Sequence, residues 1–161
     1  MKRPGRPAKK GKVRTHVDVQ FACTQSGRPD QRRITRWARA ALAGRRRPGL
    51  LTVRVVGESE GAELNRRWRG KRRATNVLSF PGAALPGGGP QLLGDVVICA
   101  PVVDREARQQ GKSRAAHWAH MVVHGTLHLQ GYDHRTRAQA AAMESLETRL
   151  LARLGVANPY A

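Results

Sequence analysis

Three histidines in the last third of the chain have the spacing of a metal site. His124 and His128 are four residues apart, so on a helix both imidazoles lie on one face. Gly131 can adopt the left-handed conformation that ends a helix, which would turn the chain and bring His134 back to the same point. Three imidazoles and an open fourth position are the ligand set of a catalytic zinc ion. We therefore predict one zinc ion per chain, with a zinc-bound water as the reactive group.

The same spacing occurs in the metallopeptidase signature H-E-x-x-H-x-x-G-x-x-H. Gly125 stands where that signature has its glutamate. Peptide hydrolysis normally requires a carboxylate beside the water to carry the proton to the leaving amine. The metal ligands of a peptidase are therefore present, but its base is missing, and a metallopeptidase is only our third hypothesis.

Three further residues are candidates to orient the metal ligands by hydrogen bonding from behind. Asp95 and Asp133 could do this, or could serve as the proton-carrying carboxylate. His120 lies one turn before His124 on the same helix face and could also be a further ligand. The expected role of both His117 and His120 is to pack or to hydrogen-bond behind the ligands, and His16 is assigned no role.

A basic run over residues 66–73 favours phosphodiester chemistry, because negative charge builds up on phosphate oxygens during cleavage. One arginine held rigidly could clamp the reacting phosphate in a bidentate manner, while the other cations contact further phosphates of the substrate. Spacing alone does not say which arginine this is. The helix that precedes the run is predicted to turn Leu64 and Trp68 inward. The six cations are Arg66, Arg67, Arg69, Lys71, Arg72 and Arg73.

The composition indicates a polyanionic partner. The chain has 161 residues, of which 30 are Lys or Arg and 11 are Asp or Glu, so its net charge is +19. An Arg-rich codon bias is the alternative explanation of that charge. Aromatic residues make up 4%, which argues against base stacking as the main mode of contact with such a partner.

Cysteine use and hydropathy favour the cytoplasm. Cys23 and Cys99 are isolated and read as small buried residues near strand ends, which suits a reducing compartment. No apolar stretch is long enough to cross a membrane, and the N-terminus has no apolar run of the kind found in a secretory signal. We expect a cytoplasmic protein with no membrane partner.

The pattern along the chain predicts an α/β (α+β) domain with a single mixed sheet of about four strands, covered by helices, and a helical C-terminal half. Residues 1–12 are expected to be a disordered basic arm, and residues 13–161 a single domain. The first two strands should be parallel with a right-handed crossover, and the last two antiparallel. Strands are predicted at 13–23, 50–56, 77–80 and 92–99, and helices at 30–43, 59–68, 102–110, 113–130 and 136–154.

Four sequence blocks together resemble the YbeY family of bacterial rRNA maturation endoribonucleases, over about residues 50–160. They are residues 63–70, 75–81 and 93–98, and the block H-G-x-L-H-L-x-G-Y-D-H that holds the three histidines. The resemblance implies a zinc-dependent, single-strand-specific endoribonuclease that acts in small-subunit rRNA 3′-end maturation and in ribosome quality control. It also implies that His124, His128 and His134 are the metal ligands and that Arg69 is the functional arginine.

Two points remain open within this resemblance. Asn76 replaces an Asp that many relatives have, so no acid–base role is assigned to it. The alternative function is an RNA-binding ribosome assembly factor whose metal is mainly structural. Such a site would be closed by a fourth protein ligand, for instance His120 or Asp133. The sequence does not identify protein partners.

Overall fold

A computed structural model describes residues 14–83, 86, 87 and 89–161. The predicted basic arm, residues 1–12, lies outside this range. Within it the chain forms four strands and five helices. In chain order these are β1 (His16–Phe21), α1 (Gln31–Ala41), β2 (Gly49–Val56), α2 (Glu58–Arg69), β3 (Val77–Pro81), β4 (Gln91–Cys99), α3 (Ala100–Gln109), α4 (Arg114–Leu129) and α5 (Arg137–Arg153).

The strands form one mixed sheet in the order β1-β2-β4-β3. β1 pairs with β2 and β2 pairs with β4 in parallel, whereas β3 pairs with β4 antiparallel. The predicted fold class, the element order and both strand orientations are confirmed. The hydrophobic pattern of the sequence predicts the strands correctly, because a half-buried strand alternates apolar and polar residues whereas a fully buried strand is apolar throughout.

Side-chain caps fix where three of the helices begin. Asp30 accepts a hydrogen bond from the backbone N–H of Arg33 at 2.8 Å, as the sequence predicts for α1. Ser113 caps α4 in the same way through the N–H of Ala116. Thr136 and Gln139 form a reciprocal capping box at the start of α5. The helix that carries His124 and His128 therefore has a defined start.

The two faces of the sheet are covered unequally. The first face packs its buried residues, such as Val53 and Val96, against α1, α3, α4 and α5, with Trp118 of α4 fully buried in that core. The second face is covered by α2 at one end, around Leu78 and Val97. At its other end Thr52, Asp95 and Phe80 are neighbours across the strands and are not fully buried. Part of the second face therefore remains accessible.

The prediction that Trp68 turns inward is wrong. Its side chain is 68% exposed, while Leu64, one turn earlier, is half-buried against the second face. Trp68, in the last turn of α2, contacts Phe80 of β3 edge-on with ring centroids 5.8 Å apart, but nothing in the described range covers its other side. Cys23 and Cys99 are both free thiols, but only Cys99 is fully buried; Cys23 is half-buried.

A buried carboxylate ties α3 to the helix that carries the histidines. Asp104 of α3 accepts hydrogen bonds from Arg114 at 2.8 and 2.5 Å and from the indole of Trp118 at 2.8 Å. Gln25 donates a further bond at 2.9 Å. Burial by itself would raise the pKa of Asp104, but these donors outweigh it and hold the pKa below its usual range. The ionised form therefore stabilises the position of α4.

We predict that Asp104→Asn lowers the free energy of unfolding at pH 7 by about 1–3 kcal/mol, because buried donors lose a charged acceptor. A carboxylate whose pKa is lowered by folding contributes stability above its unfolded pKa and loses that contribution as the pH falls. The difference in the free energy of unfolding between wild type and Asp104→Asn should therefore become smaller below about pH 4. Urea unfolding from pH 3 to pH 7 measures it. Asp18→Asn, at an exposed position of β1, is the control and should show no such pH dependence.

Candidate metal centre

The structure brings the three predicted ligands together. His124 and His128 lie on one face of α4 with ring centroids 4.7 Å apart. Gly131 has a φ of 94°, the expected left-handed conformation, and the chain returns so that His134 lies 5.1 Å from His128. One ring nitrogen from each histidine lies within 4.8 Å of the others, so all three could bind the same metal ion.

These histidines line a small cavity of about 290 Å³ at the edge of the sheet. Arg69 reaches it from the end of α2, and Ser79 and Pro81 reach it from β3. Asn76 and Thr75, just before β3, complete the wall together with Val77. The cavity therefore combines three imidazoles with one guanidinium, which is the combination that phosphoryl chemistry needs.

The carboxylate behind the histidines is Glu147 of α5, a residue that the sequence analysis did not identify. It is fully buried and accepts hydrogen bonds from His124 Nδ1 at 2.5 Å and from His120 Nε2 at 2.8 Å. The hydroxyl of Tyr160 also donates to it. A signal was present, because Glu147 falls on the apolar stripe of α5 with Met143, Leu150 and Leu151, where an acid needs buried partners.

The hydrogen bonds keep Glu147 ionised. Burial alone would raise its pKa, but donation from His120, His124 and Tyr160 lowers the pKa to about 2. Because the carboxylate engages Nδ1 of His124, it fixes the orientation of that ring and leaves Nε2 as the possible metal ligand. Burial also lowers the pKa of His128, and charge on His124 and His134 lowers it further, which favours the neutral imidazole that binds metals.

The three residues proposed from sequence to support the ligands have different positions. His120 shares Glu147 with His124, so it lies directly behind the cluster. Asp133 accepts a hydrogen bond from the backbone N–H of His134 at 2.8 Å and pairs with Arg135, so it shapes the loop that presents His134. Asp95 requires a correction. Neighbouring side chains of a strand point to opposite faces, and Val96 faces α4, so Asp95 lies on the second face of the sheet, away from the histidines.

The basic run divides into cations with different environments. Arg69 lines the histidine cavity at the C-terminus of α2, where Gly70 adopts a left-handed conformation and ends the helix. Arg66 and Arg67 pair with Glu63 on the exposed side of α2. The other three cations are exposed beyond the helix end: Lys71, Arg72 and Arg73. Arg69 is therefore the member of the run that the fold directs to the histidines.

Comparison with known proteins agrees with this geometry. The family model described as Endoribonuclease YbeY matches residues 21–155. The chain belongs to the endoribonuclease YbeY family. The resemblance stated from four sequence blocks is thereby confirmed, and so is the prediction of an endoribonuclease.

Similar relatives cover almost the whole chain. A protein of Xanthomonas axonopodis pv. citri named Endoribonuclease YbeY is 56% identical over 157 residues, which are 94% of this chain and 97% of the relative. A protein of the same name from Alkalilimnicola ehrlichii is 54% identical over 149 residues, 89% and 90% of the two chains. A Thermotoga maritima protein solved in solution superposes with a TM-score of 0.53 at 22% identity, covering 87% of this chain and 92% of that one, which supports the fold.

Within residues 14–83, 86, 87 and 89–161, no helix combines the length and the apolar character needed to cross a membrane.

Close packing around position 125 explains why this fold has a glycine where the metallopeptidase signature has its glutamate. A Cβ atom at Gly125 would lie 2.6 Å from Val96 Cγ1 and 2.9 Å from Val77 Cγ2, closer than nonbonded carbons approach. The hydroxyl of Ser79 donates a hydrogen bond to the Gly125 carbonyl at 2.9 Å. A glutamate side chain has no space here, so α4 could not carry the base of a metallopeptidase at this position.

We predict that Gly125→Ala lowers the melting temperature, although alanine favours helices over glycine by about 1 kcal/mol. The overlap with Val96 and Val77 should cost about 1–3 kcal/mol, which outweighs that preference. Thermal unfolding followed by circular dichroism measures the change. Gly89→Ala is the control, since no atom of the described residues lies within 4 Å of a Cβ atom there. A stabilised Gly125→Ala variant would contradict the close packing of α4 on the sheet.

Proposed function

We propose that this chain is a zinc-dependent, single-strand-specific endoribonuclease that acts in small-subunit rRNA 3′-end maturation and in ribosome quality control. The observation that carries the proposal is that three histidines and Arg69 line one cavity. Family membership supports the reaction class, and the net charge of +19 supports a nucleic-acid substrate. Action on ribosomal RNA would place the protein in the cytoplasm and make the small subunit its partner.

The donor chemistry of the cluster fits zinc. Imidazole nitrogens are ligands that zinc prefers, and three of them leave a position open for water or substrate. Glu147 on Nδ1 of His124 is the carboxylate–histidine arrangement typical of zinc sites. When bound, the ion would lower the pKa of a coordinated water to about 7 and so provide hydroxide at neutral pH.

Other residues of the chain would bind the RNA and hold the metal ligands in place. Arg69 would bind the phosphate to be cleaved and stabilise the charge that grows on its oxygens. Arg66, Arg67, Lys71, Arg72 and Arg73 would contact phosphates further along the strand. Glu147 would hold the ring of His124, and Asp133 would hold the backbone of His134. The amide of Asn76 donates to Glu106 at 3.2 Å and forms part of the cavity wall, which gives it a structural role.

The open coordination position favours an enzyme over an assembly factor with a structural metal. His120 is bound to Glu147, and Asp133 to the backbone of His134. In the described part of the chain, the cluster around His124, His128 and His134 contains no fourth protein ligand. A structural zinc site would be closed by four protein ligands.

The metal assignment is tested by His128→Ala and Glu147→Gln. His128→Ala should reduce zinc content from about one ion per chain to a small fraction, because two imidazoles hold zinc weakly. Glu147→Gln should keep the three ligands but weaken zinc affinity about 10–100-fold, because the ring of His124 loses its charged acceptor. Elemental analysis measures the zinc content, and competition with a chelator measures the zinc affinity.

His16→Ala is the matched control, because His16 is an exposed histidine in β1. It should leave both zinc content and affinity unchanged. The same samples are assayed on single-stranded and duplex RNA. Full zinc occupancy in His128→Ala would contradict the ligand set, and zinc binding without RNA cleavage by wild type would favour the assembly factor.

The role of Arg69 is tested by the rate at saturating RNA. Arg69→Ala should lower this rate by about 100-fold or more, the scale for loss of one charged transition-state donor. Arg69→Lys should also be impaired, because an ammonium keeps the charge but not the bidentate fork. Zinc content should stay as in wild type.

Arg72→Ala is the control within the same basic run. It should weaken RNA binding modestly and leave the saturated rate nearly unchanged, because it removes a contact made equally in the ground and transition states. Equal losses of rate in Arg69→Ala and Arg72→Ala would mean that the run acts as a diffuse basic patch.

A further inference from the structure

A second cavity, of about 740 Å³, lies on the accessible part of the second sheet face. Trp68 and Leu64 of α2 form one wall, and Phe80 and Asp95 lie on its floor. Pro81 lines both this cavity and the histidine cavity. The two cavities are therefore neighbours across the edge strand β3. The metal centre and the phosphate-binding role of Arg69 do not involve this second cavity.

Trp68 gives this cavity an aromatic surface. It is 68% exposed, whereas Trp37 and Trp118 are 5% and 0% exposed. Its edge-on contact with Phe80 makes an aromatic corner at the cavity wall. Exposure of a large apolar ring is unfavourable in water, and it is explained when a flat apolar partner covers the ring. Nucleobases are such partners, since each has a π-face and stacking tolerates any sequence.

Asp95 selects which part of a nucleotide can enter. Its backbone is in register with Phe80 across β3 and β4, and its side chain is exposed. Within the described range the carboxylate of Asp95 has no hydrogen bond or ion pair. The other acid of the cavity, Glu60, is paired with Arg54 at 2.9 Å. A free carboxylate repels a phosphate but accepts hydrogen bonds from base amino groups. The cavity therefore fits a base and not the phosphate backbone.

The chain connects this cavity to the reacting phosphate. Trp68 and Arg69 are consecutive residues at the end of α2, and the first lines the second cavity while the second lines the histidine cavity. A nucleotide with its phosphate at Arg69 would have its base, or that of a neighbour, within reach of Trp68. The exposed cations that follow, Lys71, Arg72 and Arg73, supply charge for the rest of the strand.

We propose that this second cavity binds one unpaired nucleobase of the RNA substrate, stacked on Trp68 and Phe80 and hydrogen-bonded to Asp95. The inference rests on the proposed function and adds a base preference to it. Guanine, adenine and cytosine carry exocyclic amino groups that donate to Asp95. Uracil offers only its ring N3–H, which lies between two carbonyl oxygens that a carboxylate repels. A base in a duplex is stacked and paired, so this cavity accepts only a base that is free of its partner strand. The specificity of the enzyme for single-stranded RNA then follows from the binding of an unpaired base in this cavity.

The test is a scan of single-stranded oligoribonucleotides that each carry one abasic position. For wild type, one position near the cleaved bond should lower both kcat/KM and equilibrium affinity about 10-fold. Trp68→Ala should bind and cleave intact RNA about 10-fold more weakly and should lose most of the abasic effect, since the larger stacking partner is lost while Phe80 and Asp95 remain. Trp68→Phe should retain most of the effect, because an aromatic face remains. Trp68 is exposed, so melting temperatures should stay equal.

Asp95→Asn tests the base preference at the same position. Wild type should prefer cytosine to uracil there, and the variant should lose or invert this preference, because its amide can donate to uracil O4. Asp18→Asn is the matched control, since it removes an exposed carboxylate from the same sheet face two strands away. It should keep the preference of wild type.

The outcomes separate this inference from the proposed function. If wild type cleaves RNA but Trp68→Ala shows the same abasic scan, the base site is wrong and the nuclease assignment stands. The base site is also wrong if Trp68→Ala weakens every oligonucleotide equally yet keeps the abasic effect. If wild type cleaves no RNA but binds oligonucleotides with a Trp68-dependent abasic effect, the base site stands and the nuclease proposal fails.

Discussion

Helix α4 lies against strands β3 and β4 at a separation that a glycine permits. At Gly125 even a methyl group would meet Val96 and Val77 at less than 3 Å, and Ser79 is close enough to donate to the helix carbonyl. This approach brings His124 and His128 to the edge of the sheet, where residues at and before β3 form the opposite wall of the cavity. Interiors are packed too densely to absorb an added side chain without movement, so the shape of the cavity depends on this contact.

A buried network then fixes the orientation of the histidine rings. Glu147 is fully buried in a chain with a net charge of +19, and it stays ionised because His120, His124 and Tyr160 all donate to it. The network joins α4, α5 and the C-terminal segment, so ring orientation depends on the packing of elements that are distant in sequence. Asp104 has the same role between α3 and α4, with Arg114 and Trp118 as its donors. Buried polar networks of this kind restrict a core to a small number of arrangements.

The edge strand β3 separates two surfaces of different chemistry. On the side of α4, three imidazoles and Arg69 surround a cavity suited to a phosphate. On the other side, Trp68, Phe80 and Asp95 surround a cavity suited to a base. Because α2 ends between them, consecutive residues of one helix reach both surfaces. A single RNA strand that crosses this edge would place its phosphate and its base in environments that match each of them.

The sequence by itself determined the element order, the strand orientations, the starts of three helices near Asp30, Ser113 and Thr136, and the meeting of His124, His128 and His134. These features are local, because they depend on periodicity, on capping side chains and on a glycine with a left-handed conformation. The tertiary structure decided the rest. Glu147 reaches His124 only because α5 packs on α4, and Asp95 faces away because alternation along β4 turns Val96 toward the helix. Trp68 is exposed although Leu64, one turn earlier, is half-buried, because the extent to which other elements cover a helix face is not contained in the helical period.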